Sequence, residues 1–318
     1  MPAPTCLVRG GPFATGYLKR GPPCARFTLG GDELAASHGT MSHLTVPSGP
    51  TRCVHAPRDG RSLTGDIRLL EAFQSAVLGN SRDVLVYLPP GYEQDQDRRY
   101  PVLYLQDGQN IFDSSTSFAG TEWGVDETAE RLVHEGRVAP LIIVAIDHAG
   151  VRRADEFAPT HDSHRGAGGH ASDYARFIVE ELKPYVDRTF RTLTAAPHTA
   201  IGGSSLGGLV TLHIGLEHPG VFGALAVLSP SLWWDRRAVL TRVEGLPGRL
   251  PWRIWLDVGT AEGRDTVRNA RALKGVLRQK GWTLGADLHY LEVQDAPHSE
   301  SAWAGRIGQI LEVLFPAT

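Results

Sequence analysis

The sequence predicts one α/β domain in which a mostly parallel central sheet is covered by helices on both faces. Its 318 residues are near the upper size that a single domain of this class reaches. Hydrophobic residues make up 42% and charged residues 21%, an ordinary balance for a globular protein with a sizeable core. From about residue 65 onward, apolar β-rich runs alternate with amphipathic helical stretches, and this alternation is typical of parallel sheets.

The predicted elements follow one another without an internal repeat or a low-complexity linker, so residues 61–318 are predicted to form one domain. Apolar runs predict buried strands at Val84–Leu88, Val102–Leu105, Leu141–Ile146, Thr199–Gly202, Ala224–Leu228, Trp252–Leu256 and Leu288–Val293. Between the strands, helices are predicted at about 126–136, 171–187, 206–217, 265–280 and 300–315.

Residues 1–60 are rich in Gly, Pro, Ser and Thr and show no sustained strand or helix period, which predicts an irregular leader. All three cysteines, Cys6, Cys24 and Cys53, fall in this stretch. An odd and sparse set is not a disulfide framework, so we interpret them as free thiols. Met1 and Met41 are the two methionines, and translation from Met41 is a hypothesis that amino-terminal sequencing of the native protein would test.

Charge and hydropathy exclude several classes of partner. Lys plus Arg total 32 and Asp plus Glu total 35, a net charge of −3 without a basic run, so nucleic acid is not expected. No apolar stretch approaches the roughly 20 residues of a membrane helix, and the amino terminus lacks a secretory signal pattern, which predicts a cytoplasmic protein. The composition leaves a homo-oligomer open.

One loop is rich in residues that can bind metals: it carries His161, Asp162, His164 and His170. These residues lie in a Gly-rich segment without the ligand spacing of a recognisable metal motif. We therefore expect neither a metal ion nor a cofactor.

The most informative stretch is Gly203-Ser204-Ser205-Leu206-Gly207, which matches G-x-S-x-G and has Ser205 at its centre. An apolar strand ends just before it and an apolar helix begins just after it, as a nucleophile elbow requires. A serine on such a sharp turn needs tiny neighbours, and the hydroxyl then projects above the sheet. The sequence therefore predicts Ser205 as a nucleophile.

A hydroxyl nucleophile needs a general base, and histidine suits that role at neutral pH. His298 follows the last predicted strand and opens the last helix, unlike the other histidines after Ser205. The acid that orients the base should follow an earlier strand. Glu262 is favoured because it lies in the loop beyond that strand, whereas Asp257 is still on the strand; Asp295 is a third alternative.

Two backbone amides should converge on the oxyanion. One belongs to Leu206, directly after the nucleophile, and the other is predicted at Gln109 in the Asp-Gly turn after the second strand. For the substrate pocket, Trp233 and Trp234 are candidate walls, and Trp123 and Trp303 are weaker candidates. Arg153 or its neighbour Arg152 is a candidate anion contact. Core packing for the tryptophans and a local salt bridge for the arginines are the alternatives.

With these residues identified, the sequence resembles the enterochelin esterase-like and esterase D group of α/β-hydrolases, which includes feruloyl esterases, S-formylglutathione hydrolases and mycobacterial mycolyltransferases. The resemblance covers about residues 65–316. Its motifs are VLVYLPPGY (Val84 to Tyr92), YPVLYLQDGQNIFD (Tyr100 to Asp113), GGSSLGG (Gly202 to Gly208), DVGTAEG (Asp257 to Gly263) and HSESAW (His298 to Trp303).

The resemblance implies an α/β-hydrolase fold for residues 61–318 and the same roles for Ser205, Glu262, His298, Gln109 and Leu206. Many members carry Asp where this chain has Glu262. Together these features predict a cofactor-free serine carboxylic ester hydrolase that acts through an acyl-enzyme on short-chain or aryl esters. The alternatives are a siderophore trilactone esterase of the enterochelin type or a feruloyl esterase and, more remotely, a non-catalytic binding protein of the same fold.

Overall fold

The structure is a computed structural model that describes residues 53–56 and 62–317. Within these residues a single nine-stranded sheet forms the centre of the fold. Its strands are β1 (Cys53–His55), β2 (Asp66–Ser75), β3 (Asn80–Leu88), β4 (Val102–Gln106), β5 (Ile142–Ile146), β6 (Thr199–Ser204), β7 (Ala224–Leu228), β8 (Arg253–Gly259) and β9 (Leu288–Val293).

The α-helices follow strands β4 to β9 along the chain. They are α1 (Val125–His134), α2 (Arg153–Phe157), α3 (Ala171–Arg176), α4 (Lys183–Thr189), α5 (Leu206–Glu217), α6 (Ala238–Glu244), α7 (Arg264–Gln279) and α8 (Glu300–Leu314). A π-helical stretch, Phe177–Leu182, continues α3 into α4. None of the helices in the described part of the chain is long and apolar enough to cross a membrane.

The sheet has the order β1-β2-β3-β5-β4-β6-β7-β8-β9. The first three strands pair antiparallel, β3 also meets β5 antiparallel, and every pairing from β5 to β9 is parallel. Every residue of β4, β5, β6 and β7 is buried. Parallel strands between two helical layers have no solvent face, which is why they read as continuous apolar runs.

Two large clusters form most of the core among the described residues, one on each face of the sheet, and a small third cluster joins Val258 to Val267 and Ala270. Side chains of α1 and α8 pack on one face, and side chains of α3, α5, α6 and α7 pack on the other. Successive residues of β4 divide between them, since Leu103 and Leu105 join the first cluster whereas Val102 and Tyr104 join the second. The predicted mostly parallel sheet with helices on both faces is confirmed.

The predicted strands and long helices are present, but the sequence missed four shorter or less regular elements. Strand β2 mixes buried and exposed positions and bulges between Leu70 and Phe73, so it lacks a continuous apolar run. Strand β1 lies inside the stretch predicted as a leader, so the sheet begins before residue 61. The rest of that stretch, with Cys6, Cys24 and Met41, lies outside the described residues. Helices α2 and α6 were also not predicted.

The topology places several loops at the carboxyl edge of the parallel strands. The turn after β4, the elbow after β6, the loop after β7, the turn after β8 and the loop between β9 and α8 all emerge at this edge. Open α/β sheets bind their ligands at this edge because the loops there meet over the strand ends.

Candidate active site

Ser205 occupies a sharp turn between β6 and α5. Its backbone has φ 57° and ψ −119°, a region that a residue with a side chain rarely adopts. Two hydrogen bonds hold it there: the Ser205 N–H donates to the carbonyl of Leu228 at 3.0 Å, and its carbonyl accepts from the Ser231 N–H at 2.9 Å. Strand β7 and the loop after it therefore stabilise the strained turn.

The glycines around Ser205 are required by close packing. A Cβ added to Gly203 would lie 2.9 Å from the Gln106 side chain and 2.9 Å from the backbone of Gly207, which is closer than real Cβ contacts. A Cβ on Gly207, the second glycine of the motif, would lie 3.1 Å from the Gln106 side chain, which is tighter than most real Cβ contacts. The G-x-S-x-G spacing thus follows from the tight approach of β4, β6 and α5 at this point.

The side chain of Ser205 lines a cavity of about 420 Å³. Its hydroxyl oxygen lies 3.2 Å from the hydroxyl oxygen of Ser231, a neighbour that the sequence analysis did not single out. His298 lines the same cavity from the loop that precedes α8. The fold therefore brings the predicted nucleophile and the predicted base to one cavity although they are far apart in the chain.

His298 is paired with Glu262, the favoured candidate for the acid. The distance from His298 Nδ1 to Glu262 Oε2 is 2.8 Å, and the Glu262 side chain is fully buried whereas the His298 side chain is 40% exposed. This bond places the Nδ1 proton toward the carboxylate and leaves Nε2 as the acceptor. The His298 ring also packs edge-on against Trp303, with centroids 4.8 Å apart.

Glu262 remains ionised although it is buried. Burial raises the pKa of a carboxyl group, but hydrogen bonds from His298, from the Ser229 hydroxyl and from the Gly259 N–H outweigh it, so the pKa of Glu262 is lowered. Gly259 is also the point where the two loops meet, because a Cβ there would overlap the carbonyl oxygen of Ala296. The close approach explains how Glu262 reaches His298.

Ser229, at the end of β7, orients Glu262 and was not predicted as a site residue. Its hydroxyl oxygen accepts hydrogen bonds from Trp303 Nε1 at 3.0 Å and from Arg306 Nη1 at 3.1 Å. With both acceptor positions used, its single proton is donated to Glu262 Oε1 at 2.6 Å. The backbone of Ser229 is strained, with φ 40°, where its hydroxyl contacts Glu262.

Asp257, the alternative acid, has other partners. It is fully buried, forms an ion pair with Arg306 at 2.6 Å and accepts hydrogen bonds from Trp255 Nε1 and the Ser229 N–H. Burial raises the pKa of Asp257 even though Arg306 opposes the shift. Asp295 has an exposed backbone contact with Thr260. Glu262 therefore contacts His298, whereas Asp257 is paired with Arg306 in the interior.

The loop after β4 carries the predicted oxyanion donor Gln109. A short 3₁₀ helix, Gly108–Asn110, begins directly after Asp107, whose backbone is left-handed at φ 58°. Gln109 lines the cavity beside Ser205, and its N–H lies in the first turn of this helix. Leu206, the other predicted donor, is the first residue of α5, a position whose N–H has no acceptor within the helix.

The cavity contains only part of the predicted substrate contacts. Arg153 lines it, but the guanidinium makes two hydrogen bonds to Asp107, at 2.6 and 2.8 Å. Trp233 and Trp234 are not among the lining residues: Trp234 is buried in the core and donates to the Thr160 carbonyl. Trp303, a weaker candidate, does line the cavity. Phe118, His148, Glu300 and Asn110 line it as well.

Phe118 and Glu300 were missed for different reasons. Phe118 belongs to an irregular loop, and nothing in the local sequence indicates where its ring points. Glu300 stands within the HSESAW motif beside His298, and that proximity was the available signal.

The histidine-rich loop after α2 forms local contacts. His161 Nδ1 lies 3.4 Å from the Gly168 carbonyl oxygen, and His170 lies 3.3 Å from the Asp173 carboxylate. Elsewhere in the described residues, carboxylate oxygens of Glu122, Asp126 and Glu127 lie within 4.8 Å of one another. Burial and the neighbouring Glu127 raise the pKa of Asp126 to about 8. Protonation of Asp126 therefore lowers the negative charge of the three carboxyl groups.

Comparisons with known proteins agree with this architecture. The chain is 26% identical to the uncharacterized protein YbbA of Bacillus subtilis over 64% of this chain and 81% of that protein. It is 29% identical to the ferri-bacillibactin esterase BesA of the same organism over 55% of this chain and 65% of that esterase. The structure is similar to that of the ferric enterobactin esterase from Salmonella typhimurium, with a TM-score of 0.64 and 25% identity, over 82% of this chain and 61% of that chain.

A family model described as "Putative esterase" matches residues 75–314, which include every predicted catalytic residue. The match spans most of the chain and runs from β2 to the end of α8. The chain therefore belongs to this family of ester hydrolases.

Proposed function

We propose that the protein is a serine carboxylic ester hydrolase whose catalytic residues are Ser205, His298 and Glu262. The observation that carries the proposal is the 2.8 Å bond between His298 and the buried Glu262 at the cavity that Ser205 also lines. A nucleophile, a base and an orienting acid with these partners are the groups that acyl transfer requires.

In the proposed mechanism, the Ser205 hydroxyl attacks the ester carbonyl carbon while His298 Nε2 takes its proton. The N–H groups of Gln109 and Leu206 stabilise the oxyanion of the tetrahedral intermediate. Glu262 stabilises the imidazolium, which then protonates the departing alcohol as the C–O bond breaks. Water, deprotonated by His298, attacks the acyl-enzyme, and the carboxylic acid leaves as Ser205 regains its proton.

The proposed substrates are short-chain or aryl esters. A cavity of about 420 Å³ is at the lower end of the range for small-molecule sites, and the rings of Phe118 and Trp303 provide apolar walls. The similarity to BesA and to the Salmonella ferric enterobactin esterase supports a second candidate, hydrolysis of a siderophore trilactone. Feruloyl esters are a third substrate class, and the cytoplasmic location expected from the sequence stays a prediction.

The test measures hydrolysis of p-nitrophenyl esters from acetate to palmitate, of methyl ferulate and of a catecholate trilactone. Wild type and Ser205→Ala are compared, and a fluorophosphonate probe measures the labelling of Ser205. We expect stoichiometric labelling that the variant abolishes and a loss in kcat of at least about 10³-fold. Full activity in folded Ser205→Ala would refute the serine mechanism, and turnover confined to the trilactone or ferulate would refute the substrate assignment.

The same probe separates an enzyme from a binding protein of the same fold. A binding protein would neither react with the fluorophosphonate nor turn over any ester in the panel. Turnover that falls steeply with chain length would identify a small acyl pocket.

A further inference from the structure

The charged groups that face the cavity are unevenly balanced. Its ionisable lining residues are Asp107, His148, Arg153, His298 and Glu300. Which of these groups carries an unpaired charge decides which substrates the cavity attracts, because charges in a partly enclosed site act more strongly than charges in bulk water.

Four of the five groups are neutral or paired. Arg153 and Asp107 neutralise each other through their two hydrogen bonds. His148 Nδ1 accepts a hydrogen bond from the Gly150 N–H at 2.9 Å, so that nitrogen carries no proton and the ring is neutral. Burial also lowers the pKa of His148, which favours the same neutral form of the ring. His298 is paired with Glu262 through the 2.8 Å hydrogen bond at its Nδ1.

Glu300 is the group that remains. It is the first residue of α8, where the helix N-terminus stabilises a carboxylate. In the described part of the chain it forms no ion pair within 4 Å, and its polar side-chain contact is a long hydrogen bond from Asn110 Nδ2, at 3.4 Å. The field of its charge reaches Arg153, but the guanidinium of that residue is bonded to Asp107. Asp107, Arg153 and Glu300 together carry one net negative charge.

The aromatic residue Phe118 lines the same cavity as this carboxylate, and Asn110 bonds to both residues. Asn110 Oδ1 accepts the backbone N–H of Phe118 at 2.9 Å, while its Nδ2 contacts Glu300. Phe118 lines the cavity, yet 87% of its surface is exposed, an unusual position for a large apolar side chain. A carboxylate and an exposed aromatic ring that face one cavity can both attract an organic ammonium group, the first by its charge and the second through its face.

We propose that Glu300 and Phe118 form a subsite that favours esters carrying an ammonium group and disfavours esters carrying a carboxylate. The inference rests on the proposed esterase function, because it concerns the substrate class of that site. It also bears on the trilactone candidate. Iron-loaded catecholates carry net negative charge, so the subsite disfavours their binding.

The experiment uses three phenyl acetates that differ in one substituent: 3-trimethylammonio, its neutral isostere 3-tert-butyl, and 3-carboxy. The kcat/KM ratio of cationic to neutral ester is compared between wild type and Glu300→Gln, which cancels the intrinsic reactivity of each phenol. We expect the ratio to fall about five- to tenfold in Glu300→Gln at low ionic strength, and the difference to shrink in 0.5 M salt. Hydrolysis of the 3-carboxy ester should rise by a similar factor.

Two further variants locate the effect. Glu244→Gln removes the same charge from an exposed position of α6 outside the cavity, and we expect it to keep the wild-type ratio. Phe118→Leu keeps an apolar side chain but removes the ring, and we expect the ratio to fall about two- to fivefold.

The subsite and the esterase function are tested by different outcomes. Ser205-dependent hydrolysis of all three esters with an equal cationic-to-neutral ratio in wild type and Glu300→Gln overturns the subsite and leaves the esterase function intact. The subsite is also overturned if Glu244→Gln lowers the ratio as much as Glu300→Gln. Hydrolysis that persists in Ser205→Ala contradicts the proposed function itself.

Discussion

The oxyanion loop offers a sharp test because one glycine determines its position. Gly108 follows Asp107 at the end of β4, where the chain passes directly over β5. A Cβ added to Gly108 would lie 2.7 Å from the carbonyl carbons of Ala145 and Ile146. Ordinary van der Waals contact begins at 3.4 Å, so Gly108→Ala must separate the two segments by about 0.7 Å.

The loop, and not the strand, should move. Strand β5 is buried and hydrogen-bonded to both β3 and β4, whereas the loop contacts the cavity on one side. The displacement moves the Gln109 N–H away from the oxyanion. Loss of one oxyanion donor lowers kcat by about 10² to 10³-fold, which corresponds to about 2.7–4 kcal/mol of transition-state stabilisation. The free energy of unfolding should fall by about 1–3 kcal/mol through overpacking.

The assay measures kcat and KM on p-nitrophenyl acetate together with urea unfolding. KM should change little, because the donor acts mainly on the transition state. Gly275→Ala is the matched control: it lies on α7 with no atom within 4 Å of the added Cβ, and the helix should gain about 0.5–1 kcal/mol without a change in kcat. A folded Gly108→Ala protein whose kcat stays within about threefold of wild type would refute the oxyanion role of this loop.

The remaining predictions concern three buried carboxyl groups, those of Glu262, Asp257 and Asp126, and Ser229, which contacts the first two. Glu262→Gln should lower kcat by about 10³ to 10⁴-fold in steady-state assays with a small effect on stability, because the orientation of His298 is lost. Asp257→Asn should instead destabilise the protein by about 3–5 kcal/mol in urea unfolding, since it leaves Arg306 buried without its counter-charge; the reverse pattern would exchange the two roles. Ser229→Ala removes the hydrogen bond to Glu262, so kcat should fall at least about tenfold, and an unchanged kcat would contradict its orienting role. Burial raises the pKa of Asp126 to about 8, so the folded state binds the extra proton and stability should decline as pH rises from about 4 to about 8; Asp126→Asn should flatten this dependence in unfolding experiments at pH 5.5 and pH 9, and an equal decline in both proteins would contradict it.

Local sequence was sufficient for the parallel part of the sheet and for the elbow. Strands β4 to β7 are buried on both faces, so their apolar runs are continuous and are recognisable without knowledge of their partners. The elbow is equally local, because the small residues around Ser205 are needed by a turn of a few residues. Strand β2 was missed, since its mixed burial and its bulge leave no regular period.

The sequence by itself determined the order of the parallel strands and of the long helices along the chain, and which residue types stand after those strands. It left open whether Glu262 or Asp257 meets His298, and it did not indicate Ser229, Phe118 or Glu300. These contacts depend on how loops that are distant in the chain meet above the sheet edge, and no local pattern encodes that distance. Tertiary structure decided them, because only the packed loops determine which carboxylate is bonded to His298 and which is paired inside the core.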